Sequence, residues 1–232
     1  SQGKAVVGQY LVIVTDTDTT DPVANATVTL SGDDSIAIRL PNSRLLDYAD
    51  QTTVTVLLSE PETPVEGMAI TVTDKNANAC GGTTDTAGQI TVPNTTGQTN
   101  ADGKATVGWE DADGERHTLT VQVERTETGR PISGSTVSLG TTGNITVVLP
   151  DGQDMDAKNR VTVTVTDNEK APQADVTVIV KADLGGTAQG RTNKDGELTV
   201  PAVESAYTDE TGTAVVGQYT VIVTDTEKTP IQ

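Results

Sequence analysis

Hydrophobic and polar residues alternate with period two along most of this chain. In residues 160–167, Val161, Val163 and Val165 share one face, and Thr162, Thr164 and Thr166 share the other. Residues 175–181 set Val176, Val178 and Val180 on one side in the same way. Alternation in Val- and Thr-rich runs predicts half-buried antiparallel strands. Threonine suits the wet face, because its β-branch favours extended backbone while its hydroxyl stays solvated. No window carries a helical stripe of useful length. Asp102-Gly103, Asp113-Gly114, Asp151-Gly152 and Asp195-Gly196 stand between the strand runs. Asp-Gly supplies the positive φ that tight hairpins need. Short strands at regular spacing with such turns predict an all-β sandwich class.

The pattern is also periodic on a longer scale. Residues 5–16 read AVVGQYLVIVTD, and residues 214–225 read AVVGQYTVIVTD. A middle copy matches both. Val12, Val14, Val54 and Val56 recur as Val121, Val123, Val163 and Val165, an offset of 109 (121 − 12). The offset falls to 108 at Gly88/Gly196 and Val92-Pro93/Val200-Pro201, and Val221 follows Val121 by 100. The shorter spacing traces to an insertion, residues 110–117, in the middle copy. An insertion that leaves the flanking register intact belongs in a hairpin tip or loop. A fixed period of this kind marks a modular array, so the chain reads as a stretch of a longer object. Each long repeat further divides into two related halves. Each half is a small β-sandwich, or the two together make one larger one. The divisions expected are 1–51 and 52–100 for the halves of the first copy, 101–159 (with the insertion) and 160–206 for the second, and 207–232 for the start of a third.

Composition narrows the function classes. There is no Phe and aromatics are 2%, so the cores must be built from Val, Ile, Leu, Ala and Met. Small units with thin cores bury little surface and lean on their neighbours. The net charge of −18 gives a solvated, self-repelling surface. It leaves no basic patch for nucleic acid and disfavours direct contact with an anionic membrane. Cys80 is the only cysteine, so no intrachain disulfide forms, and its counterpart is Ala188, which reads as a structural thiol. No apolar run reaches the length of a membrane span, and no signal peptide stands at the start, as expected of a segment from within an array. Scarce cysteine with abundant Thr, Asp and Asn fits exported proteins of Gram-positive type.

The strings PVEGMAITVTD, TDTAGQITVP, TNADGKATV and TNKDGELTVP carry a shared pattern of alternating strand, short loop and Asp/Asn-x-x-Gly turn. In this the chain resembles the bacterial Ig-like tandem repeats of surface proteins: invasin/intimin-like Ig domains, collagen-adhesin B-type or prealbumin-like repeats, and S-layer-associated arrays. The resemblance covers almost the whole chain. It implies an elongated array of small Ig-like antiparallel sandwiches on a bacterial cell surface, serving as a stalk or spacer. Many B-type repeats form a Lys–Asn isopeptide bond. The strands at 52–56 and 161–165 contain no lysine, so none is expected here.

Candidate chemistry is sparse. His117, the only histidine, stands beside the insertion with no nucleophile signature and reads as an exposed hairpin residue. Trp109, the only tryptophan, reads as a packed strand residue at a module junction. Three acidic groups could bind calcium: Asp16, Asp18 and Asp21; Glu110, Asp111, Asp113 and Glu115; Asp151, Asp154 and Asp156. None completes a calcium-loop signature, and Arg125, Glu127 and Arg130 replace the first group in the second copy. Asp47 and Asp156 recur and read as turn residues that hold backbone amides. Glu60 and Glu62 flank prolines in a solvated turn and make a poor glycosidase pair. Nothing combines an acid, a base and a nucleophile with a pocket signature.

The expectation is therefore a structural stalk without catalytic, cofactor or metal residues, calcium being the one cofactor alternative. Its partners are neighbouring repeats of the same chain. The alternatives are an adhesin segment that binds a host protein or glycan through its loops, and a spacer in a multidomain extracellular glycosidase. The insertion is the place to look for recognition.

Overall fold

The computed structural model describes residues 2–32, 34–140, 142–182, 186–202, 212–216 and 219–223. Every regular element among them is a β-strand. Residues up to 93 form one two-sheet unit. Its strands are β1 (Lys4–Val7), β2 (Tyr10–Asp16), β3 (Thr27–Leu30), β4 (Ile36–Arg39), β5 (Thr52–Ser59), β6 (Glu62–Pro64), β7 (Ala69–Thr73), β8 (Ala79–Thr83) and β9 (Gln89–Val92). Strands β1, β2, β5, β6 and β9 make one sheet, and β3-β4-β7-β8 the other. Residues 94–202 repeat the plan with β10 (Thr96–Gln98), β11 (Lys104–Glu110), β12 (Arg116–Arg125), β13 (Thr136–Leu139), β14 (Ile145–Val148), β15 (Val161–Asp167), β16 (Thr177–Ala182), β17 (Gly186–Arg191) and β18 (Glu197–Val200). The sheets here are β11-β12-β15-β18 and β10-β13-β14-β16-β17. A last antiparallel pair, β19 (Thr213–Val216) and β20 (Tyr219–Ile222), follows.

The sequence register is the hydrogen-bond register. Val12 faces Val56 and Val14 faces Val54 across β2 and β5; Val121 faces Val165 and Val123 faces Val163 across β12 and β15. Alternation sends these valines inward, where they meet Ile36, Ile38, Ile70 and Val72 in the first unit. In the second they meet Val137, Ile145, Val147, Val178 and Val180. Each fully buried valine contributes about 1.5 kcal/mol or more. The outward threonines join hydroxyl to hydroxyl across strands, Thr17–Thr53–Thr91 in one unit and Thr126–Thr162–Thr199 in the other.

One turn carries the chain from one sheet to the other at three places, β8 to β9, β10 to β11 and β17 to β18. Asp85, Asn100 and Asn193 each donate the amide to the carbonyl four residues on. Their Oδ1 atoms accept the amides two and four residues on. The residue three places on is Gly88, Gly103 or Gly196, at φ 72°, 70° and 75°. A Cβ there would sit 2.4 or 2.5 Å from a strand carbonyl (Val56, Val123 or Val165), so glycine is required for space as well as for φ. Asp113-Gly114 and Asp151-Gly152 also carry positive φ at glycine.

Two sequence expectations need correction. The sheets are not wholly antiparallel: β4 runs parallel to β7, and β14 to β16. After β4 the chain crosses to the other sheet for β5 and β6, and it returns beside β4 in the same direction. Of the two readings open for the half-repeats, the pairing supports the larger sandwich, and the expected boundaries shift accordingly. The divisions at 51/52 and 159/160 fall inside shared sheets, since β2 pairs β5 and β12 pairs β15. The division at 100/101 splits β10 from the sheet it joins, because β10 pairs β13 of the second unit. The divisions at 206 and 207 lie outside the described residues.

Candidate functional site

A connected network of polar side chains lies where the two units meet. Three loops and one hairpin build this junction. In the first unit, residues 74–78 form the same Asx turn, with Ala77 at φ 59°, and Asp74 accepts the amides of Asn76 and Asn78. Asp74 and Asn78 are buried. The other Asp74 oxygen accepts the Leu46 amide (3.1 Å) and the Asn78 side-chain amide (3.0 Å). A buried carboxylate with this many donors is satisfied and rigid. Asn78 and Asn76 both donate onward to the carbonyl of Asn168 in the second unit, at 2.9 and 3.2 Å.

Asp47 completes the network. Its Oδ1 accepts the Ala49 amide (2.9 Å), the turn role expected from sequence, and also the Thr118 hydroxyl (2.9 Å). Its Oδ2 accepts the side-chain amide of Asn168. Thr118 Oγ1 in turn accepts the Tyr48 amide at 2.8 Å. Among the described residues, Asp156, at the matching place in the second unit, accepts only local amides, from Lys158 and Asn159. Packing closes the junction beside these bonds. A Cβ on Gly108 would lie 2.3 Å from the Tyr48 Cβ, so this position takes no larger residue without movement. Asn94 and Val107 form a parallel bridge at the start of the second unit, and Ala202 and Val216 repeat it at the end.

The insertion is the tip of the β11–β12 hairpin and leans over this junction. Arg116 reaches Asp18 of the first unit at 3.2 Å, alongside Glu110 of its own hairpin. His117 is half-buried, not freely exposed. Its ring stacks on Trp109 at a centroid distance of 4.5 Å, and Nε2 lies 2.8 Å from Asp111 Oδ2. Trp109 packs partly against the second core at the junction, in line with the sequence expectation. One face of its indole is covered by His117, which leaves it poorly placed as a sugar platform. With Asp47, Arg116 and Asn168 these rings line an open cleft.

The acidic groups behave as local pins. Asp16 accepts from the Thr19 amide and pairs with Arg44 at 3.0 Å. Those two contacts, the amide first, hold its carboxyl far below the usual range. Asp50 shares the same Arg44; partial burial and then the neighbouring Asp16 raise its carboxyl instead. In the second unit the polarity at this place is reversed: Arg125 stands for Asp16, and it donates to Gln153 and to the carbonyls of Asp154 and Asn159. Asp21 and Asp151 are exposed, as are Glu60 and Glu62 at the β5–β6 turn. Cys80 is buried against the junction, and burial pushes its thiol up to about 12, so it is inert.

Donor atoms of Asp111, Glu115 and His117 lie within 4.8 Å of one another. The set does not suit calcium, which takes six to eight oxygens. Asp111 already spends Oδ1 on the amides of Asp113 and Glu115 and Oδ2 on His117. Hydrogen bonding to His117 first, and then to the amides, lowers the Asp111 carboxyl.

Sequence reasoning placed Trp109 at a junction, marked the insertion and read Asp47 as a turn residue, but missed the reach of Asp47 into the second unit and missed Asp74, Asn78, Thr118 and Asn168. These come from separate loops, so no periodicity joins them, and the recurrence of Asp47 as Asp156 signalled only the turn role the two share. No protein-family model, curated protein or solved structure matches the chain.

Proposed function

We propose that this chain is a non-enzymatic stalk or spacer segment of a bacterial cell-surface repeat protein, built as a tandem array of Ig-like β-sandwiches. The observation that carries the reading is the junction. Asp47, Asn76 and Asn78 of one unit are hydrogen-bonded to Thr118 and Asn168 of the next, and Tyr48 packs on Gly108. Units joined by a long flexible linker would bend freely; units locked turn against turn pass load and direction to the next. The recurrence of the Asn94–Val107 bridge at Ala202–Val216 supports the same mode of entry for a following unit.

The mechanism is mechanical. Antiparallel ladders such as β12–β15 carry tension across many backbone bonds in parallel. The net charge of −18 keeps neighbouring stalks from sticking side by side. The extracellular placement rests on scarce cysteine and on the resemblance to surface repeats. Small-angle scattering on chains lengthened by whole copies of residues 94–202 tests the reading. The maximum dimension should grow in equal steps with each copy. Growth that flattens into a compact particle would overturn it.

A further inference from the structure

The two units share a register, yet one groove is filled in the second and open in the first. In the second unit, β10 lies along β13, with Gly97 opposite Val137. The next residue after β10, Thr99, is buried and clamps the turn ahead of β13. Its hydroxyl donates to the Ile132 carbonyl at 2.8 Å and accepts the Ser135 amide at 2.9 Å. Its backbone carbonyl accepts the Gly134 amide, and its own amide donates to the Ser135 carbonyl. Beneath this segment Ala105, Ser135 and Val137 have no exposed surface.

The first unit holds the same positions without the cover. Val23, Asn25, Ala26 and Val28 stand where Ile132, Gly134, Ser135 and Val137 stand in the second. Asn25 even adopts the positive φ of Gly134, 64° against 78°. Among the described residues, no bond of the Thr99 kind reaches Asn25 or Ala26. Ala5, Ala26 and Val28 are only half-buried, and with Gly3, Val14 and Val23 they line an apolar groove beside the edge of β3 that pairs with no described strand. The entrance is preset too. Gly3 matches Gly103: φ is 68° against 70°, and each carbonyl accepts a core strand amide, Val14 for Gly3 and Val123 for Gly103.

We infer that this groove is a strand-docking site for an extended segment of the chemistry of residues 94–100, supplied by an adjoining copy of the repeat and entering from the Gly3 side. The segment adds an edge strand to β3, and a threonine hydroxyl bridges the Val23 carbonyl and the Ala26 amide. Backbone pairing gives the affinity, and the threonine sets the register. The inference rests on the repeat-array reading, but its test is separate, because scattering of lengthened chains does not depend on this edge.

The experiment extends the full chain ahead of Ser1 with a copy of residues 94–100, which places a threonine as far before Gly3 as Thr99 is before Gly103. A control extension carries valine in place of that threonine. Amide hydrogen exchange is read at Asn25 and Ala26, with methyl shifts at Val28. The threonine extension should slow exchange at both amides by about 10-fold or more and shift Val28, and the valine control should lose most of that protection. Unchanged exchange, or equal protection from both extensions, would overturn the proposal. Concentration-dependent dimerisation of the unextended chain that protects the same amides would assign the groove to a second copy, and would overturn it as well.

Discussion

The first and second units are built on one register but differ in what covers it. Val28 and Val137 occupy the same place, yet Val137 has no exposed surface and Val28 is half-buried. The pin at the end of β2 differs as well: Asp16 reaches Arg44 in one unit, and Arg125 reaches Gln153 in the other. The comparison shows that the core valines define the fold, while pins and loops are exchangeable around it. Function in such a molecule is expected at the exchangeable parts, and the junction is made almost wholly of them.

The largest expected effect comes from filling the junction. Gly108→Ala places a methyl group on Tyr48, whereas Gly8→Ala in the first unit meets only the flexible end of Leu30, at 2.8 Å. Gly108→Ala should cost about 2 kcal/mol or more and uncouple the two units, as read by urea unfolding followed at Trp109. At Gly8, which sits at φ 58°, the cost should be mainly that of the left-handed backbone, about 1 kcal/mol.

The coverage difference is tested next. Val137→Ala should destabilise the second unit by about 2 kcal/mol, and Val28→Ala the first by about half of that, since the cost follows burial and the cavity left behind. Equal losses in chemical denaturation would contradict the described difference between the two edges.

A smaller effect is expected at the pin, and it has a pH signature. The Asp16 carboxyl is depressed in the folded state, so its stabilisation is present above the ordinary value of 3.8 and is lost as pH falls below it. Asp50 is raised and works in the opposite sense, gaining stability on protonation. Asp16 has the larger shift, so the melting temperature should fall below pH 4. Arg44→Ala should lower stability by about 1 kcal/mol at neutral pH and make that acid slope shallower, though not abolish it, because the Thr19 amide still holds Asp16. The smallest expected effect is that of a chelator, which should leave the melting temperature unchanged.

Much of the fold was legible in the sequence because burial imposes a period. Val161, Val163 and Val165 point inward and pair as the 109-residue offset requires. The Asp/Asn-x-x-Gly strings announced their turns because positive φ leaves few residue choices. The parallel pairs were not legible, since alternation records which face is buried and not which direction the neighbour runs. Residues 94–100 were assigned to the wrong side of a boundary because Thr96–Gln98 is too short and too polar to show a period. The junction was mostly hidden for a related reason. Asp47, Asn78, Thr118 and Asn168 are ordinary loop residues until the fold brings them together.

The most direct test of the central claim, that this junction makes two units move as one body, is residual dipolar couplings on the aligned full chain. A single alignment tensor should fit amides of both units, and Asp47→Ala should split it into two. Separate tensors in the unsubstituted protein would contradict the account.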